Sequence, residues 1–166
     1  MIQKLRNRDE GFTIIEVLIV LAIAGLILLI IFLAVPALQR SSRNTQRKND
    51  ASAIAGAIAN YISNNGGVVP TAKQTDPGDP NSVDVWTGAG NYQAAKLGFY
   101  TPANVSVVNN SAGPLTPTSN TVIIDTGYNC NVNNNGLGVV TTRSAAILYA
   151  VETGSGGAIA QQCVEQ

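Results

Sequence analysis

Asp9-Glu10-Gly11-Phe12-Thr13-Ile14-Ile15-Glu16 is the stretch on which the reading of this 166-residue chain turns. Behind it, Val17 to Val35 are nineteen residues without a polar side chain, interrupted only by Gly25. As a helix, that run spans roughly 28 Å at 1.5 Å per residue, close to the thickness of a bilayer core. A carboxylate at the mouth of such a helix is costly. An acidic residue deep in a spanning helix costs about 2.5–3.5 kcal/mol on insertion scales, and less near its edge. A plain anchor is better served by an apolar residue there, so Glu16 asks for a partner.

The charged leader, the Gly11-Phe12 junction, the position of Glu16 and the uninterrupted apolar run together resemble the type IV prepilin leader and the N-terminal helix of the N-methylphenylalanine (type IV) pilin family. The resemblance covers the chain from Met1 to about Asn65. It implies that a dedicated prepilin peptidase/methylase cuts between Gly11 and Phe12 and methylates the new Phe12 amine. It implies roles in assembly for Glu16, the fifth residue after that cut, and for Thr13. It also implies a cytoplasmic leader and a single pass through the inner or cytoplasmic membrane before assembly. An exported C-terminal domain follows, and then a homo-oligomeric helical filament at the cell surface, built by an assembly platform protein and its ATPase. Gly25 weakens a helix interior, and Pro36 removes a backbone donor opposite the carbonyl of Phe32. In the family these would be positions of helix flexibility. An ordinary secretory signal is cut after its apolar region; here the cut precedes the run, which stays in the mature protein.

Charged residues are only 12 % and hydrophobic residues 45 % of the chain. The bias is local, because the remainder outside residues 12–38 is rich in Asn, Gly, Ser, Thr and Ala. That composition fits a small exported β domain with many turns better than a large enzyme. The net charge of zero is also uneven. Lys4, Arg6 and Arg8 precede the apolar run, and Arg40, Arg43, Arg47 and Lys48 follow it, so positive-inside counting leaves topology open. From Asp50 onward the acids Asp50, Asp76, Asp79, Asp84, Asp125, Glu152 and Glu165 outnumber Lys73, Lys96 and Arg143. No direct nucleic-acid binding is expected of so acidic a region.

Four stretches are predicted: a leader at 1–11, a transmembrane or filament-core half-helix at 12–38, an amphipathic half-helix at 39–66, and an exported globular β domain at 67–166 with a C-terminal disulfide loop. Ala51, Ile54, Ala55, Ile58 and Ile62 recur at helical spacing and make one apolar face. Asn64-Asn65-Gly66-Gly67 reads as a helix stop. As one helix, 12–64 would extend roughly 80 Å. Val68–Asn120, broken by Pro70, Pro77, Pro80, Pro102, Pro114 and Pro117, reads mainly as loop, with a short helix around Tyr92–Leu97 and a strand at Val105–Val108. Clearer strands follow at Thr121–Thr126, Ser144–Glu152 and Ala158–Val164, the last two joined through Gly154-Ser155-Gly156-Gly157. The predicted class is α+β: a long N-terminal helix packed on a small antiparallel sheet, the pilin fold by resemblance.

The chain has no histidine. That removes Ser-His-Asp, Cys-His and His-metal arrangements, and no phosphate-binding glycine motif occurs. No enzyme activity, cofactor or metal is expected. Many type IV pilins close their C-terminal region with a disulfide, which here implies Cys130–Cys163. Such a bridge closes a loop of about 34 residues and stabilises by roughly 3–4 kcal/mol in the chain-entropy model. Free thiols in an apolar core are the alternative. Asp76, Asp79 and Asp84 could hold Ca²⁺ on a loop or be solvated turn acids. Arg40, Arg43, Arg47 and Lys48 form a stripe that meets either lipid headgroups and acidic neighbours, or water. Tyr61, Trp86, Tyr92, Phe99 and Tyr100 read as core or shelf residues. Asn104-Val105-Ser106 and Asn109-Asn110-Ser111 are sequons of a kind that arises by chance in Asn-rich sequence.

The reading that unites these features is a structural subunit of a type IV pilus. A pseudopilin of a type II secretion or DNA-uptake machine shares every N-terminal feature. A monomeric surface domain on a signal anchor is the reading from another class, and it predicts indifference to Glu16.

Overall fold

The computed structural model describes residues 11–86, 93–109, 111, 114–154 and 157–166. The leader before Gly11, Tyr92, Asn110 of the second sequon, and Ser155 and Gly156 of the predicted turn lie outside the described residues. One helix, α1, runs Ile14–Asn64. It is followed by β1 (Ala72–Thr75), β2 (Ser82–Trp86), β3 (Gln93–Lys96), a 3-10 turn (Pro102–Asn104), β4 (Val105–Asn109), β5 (Val122–Cys130), β6 (Leu137–Glu152) and β7 (Ile159–Glu165). The chain divides into two compact units with the boundary between Gln39 and Arg40. The α+β class with a long apolar N-terminal helix is what the structure has.

In the first unit every described residue is exposed, from Gly11 to Gln39. α1 is long and apolar enough in this region to cross a membrane. Its assignment runs unbroken through Pro36.

In the second unit the predicted apolar face exists and is buried: Ala51, Ile54, Ala55 and Ile58 are covered, together with Ala57 and Tyr61, while Ile62 is half-buried. The predicted stop works as read. Gly66 and Gly67 both take positive φ, 65° and 88°, and the Gly67 amide donates to the Ile62 carbonyl at 2.9 Å. That is the Schellman arrangement, which glycine enters without steric cost.

Two sheets cover the helix face. β1-β2-β3 is antiparallel throughout, and β4-β5-β6-β7 has one parallel pair, β4 with β5. Ile54, Ile58 and Tyr61 share a core with Val83, Val85, Val122, Ile124, Ile147 and Tyr149. Neighbouring positions on a strand point to opposite faces. Ala146 and Leu148 therefore lie on the other face, in a second core with Cys130 and Cys163 that Leu115, Ile123, Tyr128 and Leu137 border. Burial on both faces explains why Ala145-Ala146-Ile147-Leu148-Tyr149-Ala150 is an unbroken run instead of an alternation.

Three expectations need correcting. The stretch Val68–Asn120 holds more than loop and the one strand expected at Val105–Val108, since β1, β2 and β3 lie in it as well as β4. The helix expected around Tyr92–Leu97 is a strand over Gln93–Lys96, paired with β2 so that Ala95 sits opposite Val83 and both are buried. Helix propensity at Ala94-Ala95-Lys96 yields there to strand pairing and burial. β5 and β6 also run past their predicted ends, to Cys130 and back to Leu137. Gly127 takes φ 107°, and the register shifts beside it. Between the pairs Thr126–Ala145 and Tyr128–Val140, β5 advances two residues and β6 five. An irregularity of this size breaks the alternation by which the strand would be recognised.

Candidate functional site

The amino end of α1 is built as a reciprocal cap. The Glu16 carboxylate accepts the Thr13 backbone N–H at 2.8 Å and the Thr13 hydroxyl at 2.7 Å, both through Oε2. The Glu16 backbone N–H donates in turn to Thr13 Oγ1 at 3.4 Å. Thr13-x-x-Glu16 is thus a capping box, which satisfies donors that the first helical turn leaves open, and a carboxylate there also meets the positive end of the helix dipole. The Thr-x-x-Glu spacing was legible in the sequence, but the apolar run drew attention to the cost of Glu16 instead of to its local use. Among the described residues, Oε1 of Glu16 accepts nothing. Gly11 and Phe12 precede the helix and are exposed. Among the described residues, a Cβ added at Gly11 or at Gly25 meets nothing within 4 Å, so their packing requires glycine at neither position.

Further along α1, a polar anchor continues the apolar stripe by helical steps. Arg43 makes a bidentate pair with Glu152 at the end of β6, Nη2–Oε2 2.6 Å and Nε–Oε1 3.0 Å. Arg47 Nη2 reaches Oε1 of the same carboxylate at 2.9 Å. Asn44 exchanges two hydrogen bonds with the Glu152 backbone, each 2.9 Å. Arg47 is only 2 % exposed, and its guanidinium lies 4.4 Å from the centre of the Phe99 ring. One turn on, the buried Asp50 carboxylate accepts the backbone N–H groups of Gly98, Phe99 and Tyr100, all at 2.8 Å. Hydrogen bonding from Arg43, and then from Arg47, holds the Glu152 carboxyl down at about 2. The same bond raises the Arg43 guanidinium. Burial pushes the Tyr100 phenol up to about 12.

The basic stripe is therefore split. Arg43 and Arg47 are bound within the domain and meet neither lipid nor bulk water as their main partner, whereas Lys48 is exposed. Glu152, Asn44 and Asp50 escaped the sequence reading because their partners lie about 50 to 100 positions away. The one available signal was that Arg47 and Asp50 stand on the apolar face, where an unpartnered charge is not tolerated.

Cys130 and Cys163 are bonded, with Cα atoms 5.8 Å apart. Asp76, Asp79 and Asp84 do not converge. Asp76 caps the Gly78 amide, Asp79 caps the Asn81 amide and faces Lys96, and Asp84 is buried beside Gln74. No group of three metal-ligating side chains occurs among the described residues. Asn104 ends the 3-10 turn, and Asn109 accepts the Thr126 hydroxyl at 2.6 Å. Tyr61 and Tyr100 are core residues and Phe99 is the shelf under Arg47, while Tyr92 and the Trp86 side chain lie outside what is described.

No curated protein and no solved structure matches the chain. One family model does, described as the prokaryotic N-terminal methylation motif, over residues 6–32. That segment contains Gly11, Phe12, the Thr13–Glu16 cap and most of the exposed apolar run. Over residues 6–32 the chain thus carries the type IV pilin/prepilin leader signature.

Proposed function

We propose that the chain is a structural subunit of a type IV pilus, cut between Gly11 and Phe12, methylated on the Phe12 amine, and polymerised through residues 12–38. The observation that carries this reading is the coincidence of the methylation motif with a helix segment that has no cover of its own. Large apolar side chains from Ile14 to Leu38 are exposed, and such a surface is stable only in lipid or against other apolar helices. The membrane serves as reservoir, and neighbouring copies then replace the lipid. Residues 39–66 and 67–166 form the exported head, with residues 1–11 as the discarded leader. The open space at Gly11 supports the cut, because a glycine that the chain itself does not need leaves the backbone accessible to a peptidase.

Glu16 contributes direction to this exchange. Its Oε2 holds the helix cap, and its Oε1 can accept the Phe12 amine of another copy. In low dielectric such a pair offsets desolvation, whereas an unpaired charge does not. Glu16 thus favours one register between copies. Gly25 and Pro36 supply compliance along the packed helices. The platform protein, the ATPase and the peptidase are the partners this route requires.

The test is Glu16→Ala expressed as the only copy in a cell that makes fibres. Membrane residence should be normal or better, since an insertion cost is removed. Sheared fibres should lose the chain. Entry into fibres at the wild-type rate would overturn the role given to Glu16, and absence of the wild-type chain from fibres with an uncut leader would make a passive anchor the better account. Processing of the wild-type chain without any shearable fibre would point to a short periplasmic piston of a secretion or uptake machine.

A further inference from the structure

The second core is closed by an arm of the sheet folded back on itself. β5 and β6 run side by side past Gly127, and their tip then reaches the far edge of β7. Three contacts fix it there: the Cys130–Cys163 bond, the Cys163 N–H donated to the Asn134 carbonyl at 2.7 Å, and the Cys130 N–H donated to Glu165 Oε2 at 3.0 Å. Ala145 exchanges hydrogen bonds with Gln166, so Ala146, Leu148 and Ala150 stand at non-bonded positions opposite Glu165, Cys163 and Gln161. The backbone groups of Ile159, Gln161 and Cys163 therefore point away from β6. The arm covers Cys163. Among the described residues, the Gln161 amide has no partner.

β7 reads Ile159-Ala160-Gln161-Gln162-Cys163-Val164-Glu165. It holds no proline, lysine or arginine, the residues that usually keep a sheet edge from pairing with another chain. At Cys163 its protection comes from the arm and from the bridge that pins it. An antiparallel pairing of two such edges is self-complementary, because it places Gln161 and Gln162 of the two copies near each other and sends the two Glu165 side chains to opposite ends.

We propose that the Cys130–Cys163 bridge is an edge lock: its reduction releases the arm and lets β7 pair, edge to edge, with β7 of a second copy. The step is a thiol–disulfide exchange with a dithiol reductant. The Cys130–Cys163 sulfur–sulfur bond breaks, both cysteines gain a proton and become thiols, and the dithiol gives up the electron pair and closes to its own disulfide.

The experiment uses the full chain in detergent micelles, with dithiothreitol as the reductant. Light scattering gives the protein mass per particle, and amide exchange is followed at positions 161 and 163. Four forms are compared: oxidised, reduced, Cys130→Ser/Cys163→Ser, and the last with Gln161→Pro added. Proline at 161 removes an outward donor without removing a β6–β7 hydrogen bond. The reduced and the double-serine forms should show about twice the mass of the oxidised form, as a two-fold pair requires. The amide at 161 should gain protection in both, and Gln161→Pro should return the mass to the oxidised value. An unchanged mass on reduction would overturn the proposal. So would a rise in mass that Gln161→Pro does not reverse, since that is association through uncovered core or an unfolded chain.

Discussion

The two halves of α1 belong to one continuous helix, yet they solve burial in opposite ways. From Arg43 to Tyr61 the helix meets its own sheets, with an apolar stripe and three charged residues held within the domain, Arg43 and Arg47 by the Glu152 carboxylate and Asp50 by three backbone amides. From Val17 to Leu38 it is apolar on every side and buries nothing. A helix that is apolar all round needs cover from outside its own chain. The difference teaches that the second stretch is covered by the chain's own sheets, while the first is left to lipid or, under the proposed function, to neighbouring copies. Substitutions in the second half should show up in melting, and those in the first half in membrane residence and fibre formation.

The largest expected effect that would break this division is at Asp50. Asp50→Ala strands three backbone amides at Gly98–Tyr100 and should cost about 3–5 kcal/mol of head stability, read by chemical denaturation of the full chain in detergent. Asp50→Asn keeps one acceptor oxygen and should lose less. Next comes the disulfide. Cys130→Ser with Cys163→Ser should cost about 2–4 kcal/mol. The loss should be concentrated in the second core, so hydrogen exchange should rise at Leu148 and Tyr128 before it rises at Ile54 or Ile124.

A smaller effect, with a defined pH window, is expected at Glu152. Its folded value of about 2 lies below its ordinary 4.5, so its contribution is fully present above about 4.5 and disappears as pH falls towards 2. Stability measured from pH 6 down to 2 should therefore decline across that window in the wild type. Glu152→Gln should flatten this part of the profile. An identical slope in the variant would remove Glu152 from the anchor. Smallest is Leu28→Ala, in the exposed half, which should change head stability by no more than about 0.5 kcal/mol. A loss of 2 kcal/mol there would mean that the first half is covered by its own chain after all.

Legibility in the sequence followed the same division. The apolar run, the stripe at Ala51–Ile62 and the glycine stop at Gly66-Gly67 are local patterns, and each stands where the sequence places it. The strands between the prolines did not announce themselves, because Ala72–Thr75 and Gln93–Lys96 are too short and too polar to alternate visibly. What makes them strands is pairing with β2, whose Val83 and Val85 carry the burial. The anchor at Glu152 and Asp50 was hidden for the same reason, since each partner lies far along the chain. At Glu16 a local signal existed and was outweighed. The cost of a carboxylate beside an apolar run was visible, but the Thr13 hydroxyl and amide that accommodate it three residues earlier were not weighed.

The proposed function requires residues 12–38 to leave lipid for the company of other copies after the leader is removed. Intact-mass analysis of the chain recovered from sheared surface fibres tests that most directly. The predicted result is a chain that begins at Phe12 and carries one methyl group on its amine. A chain that keeps Met1 and stays with the membrane fraction, with none in the fibres, would contradict it.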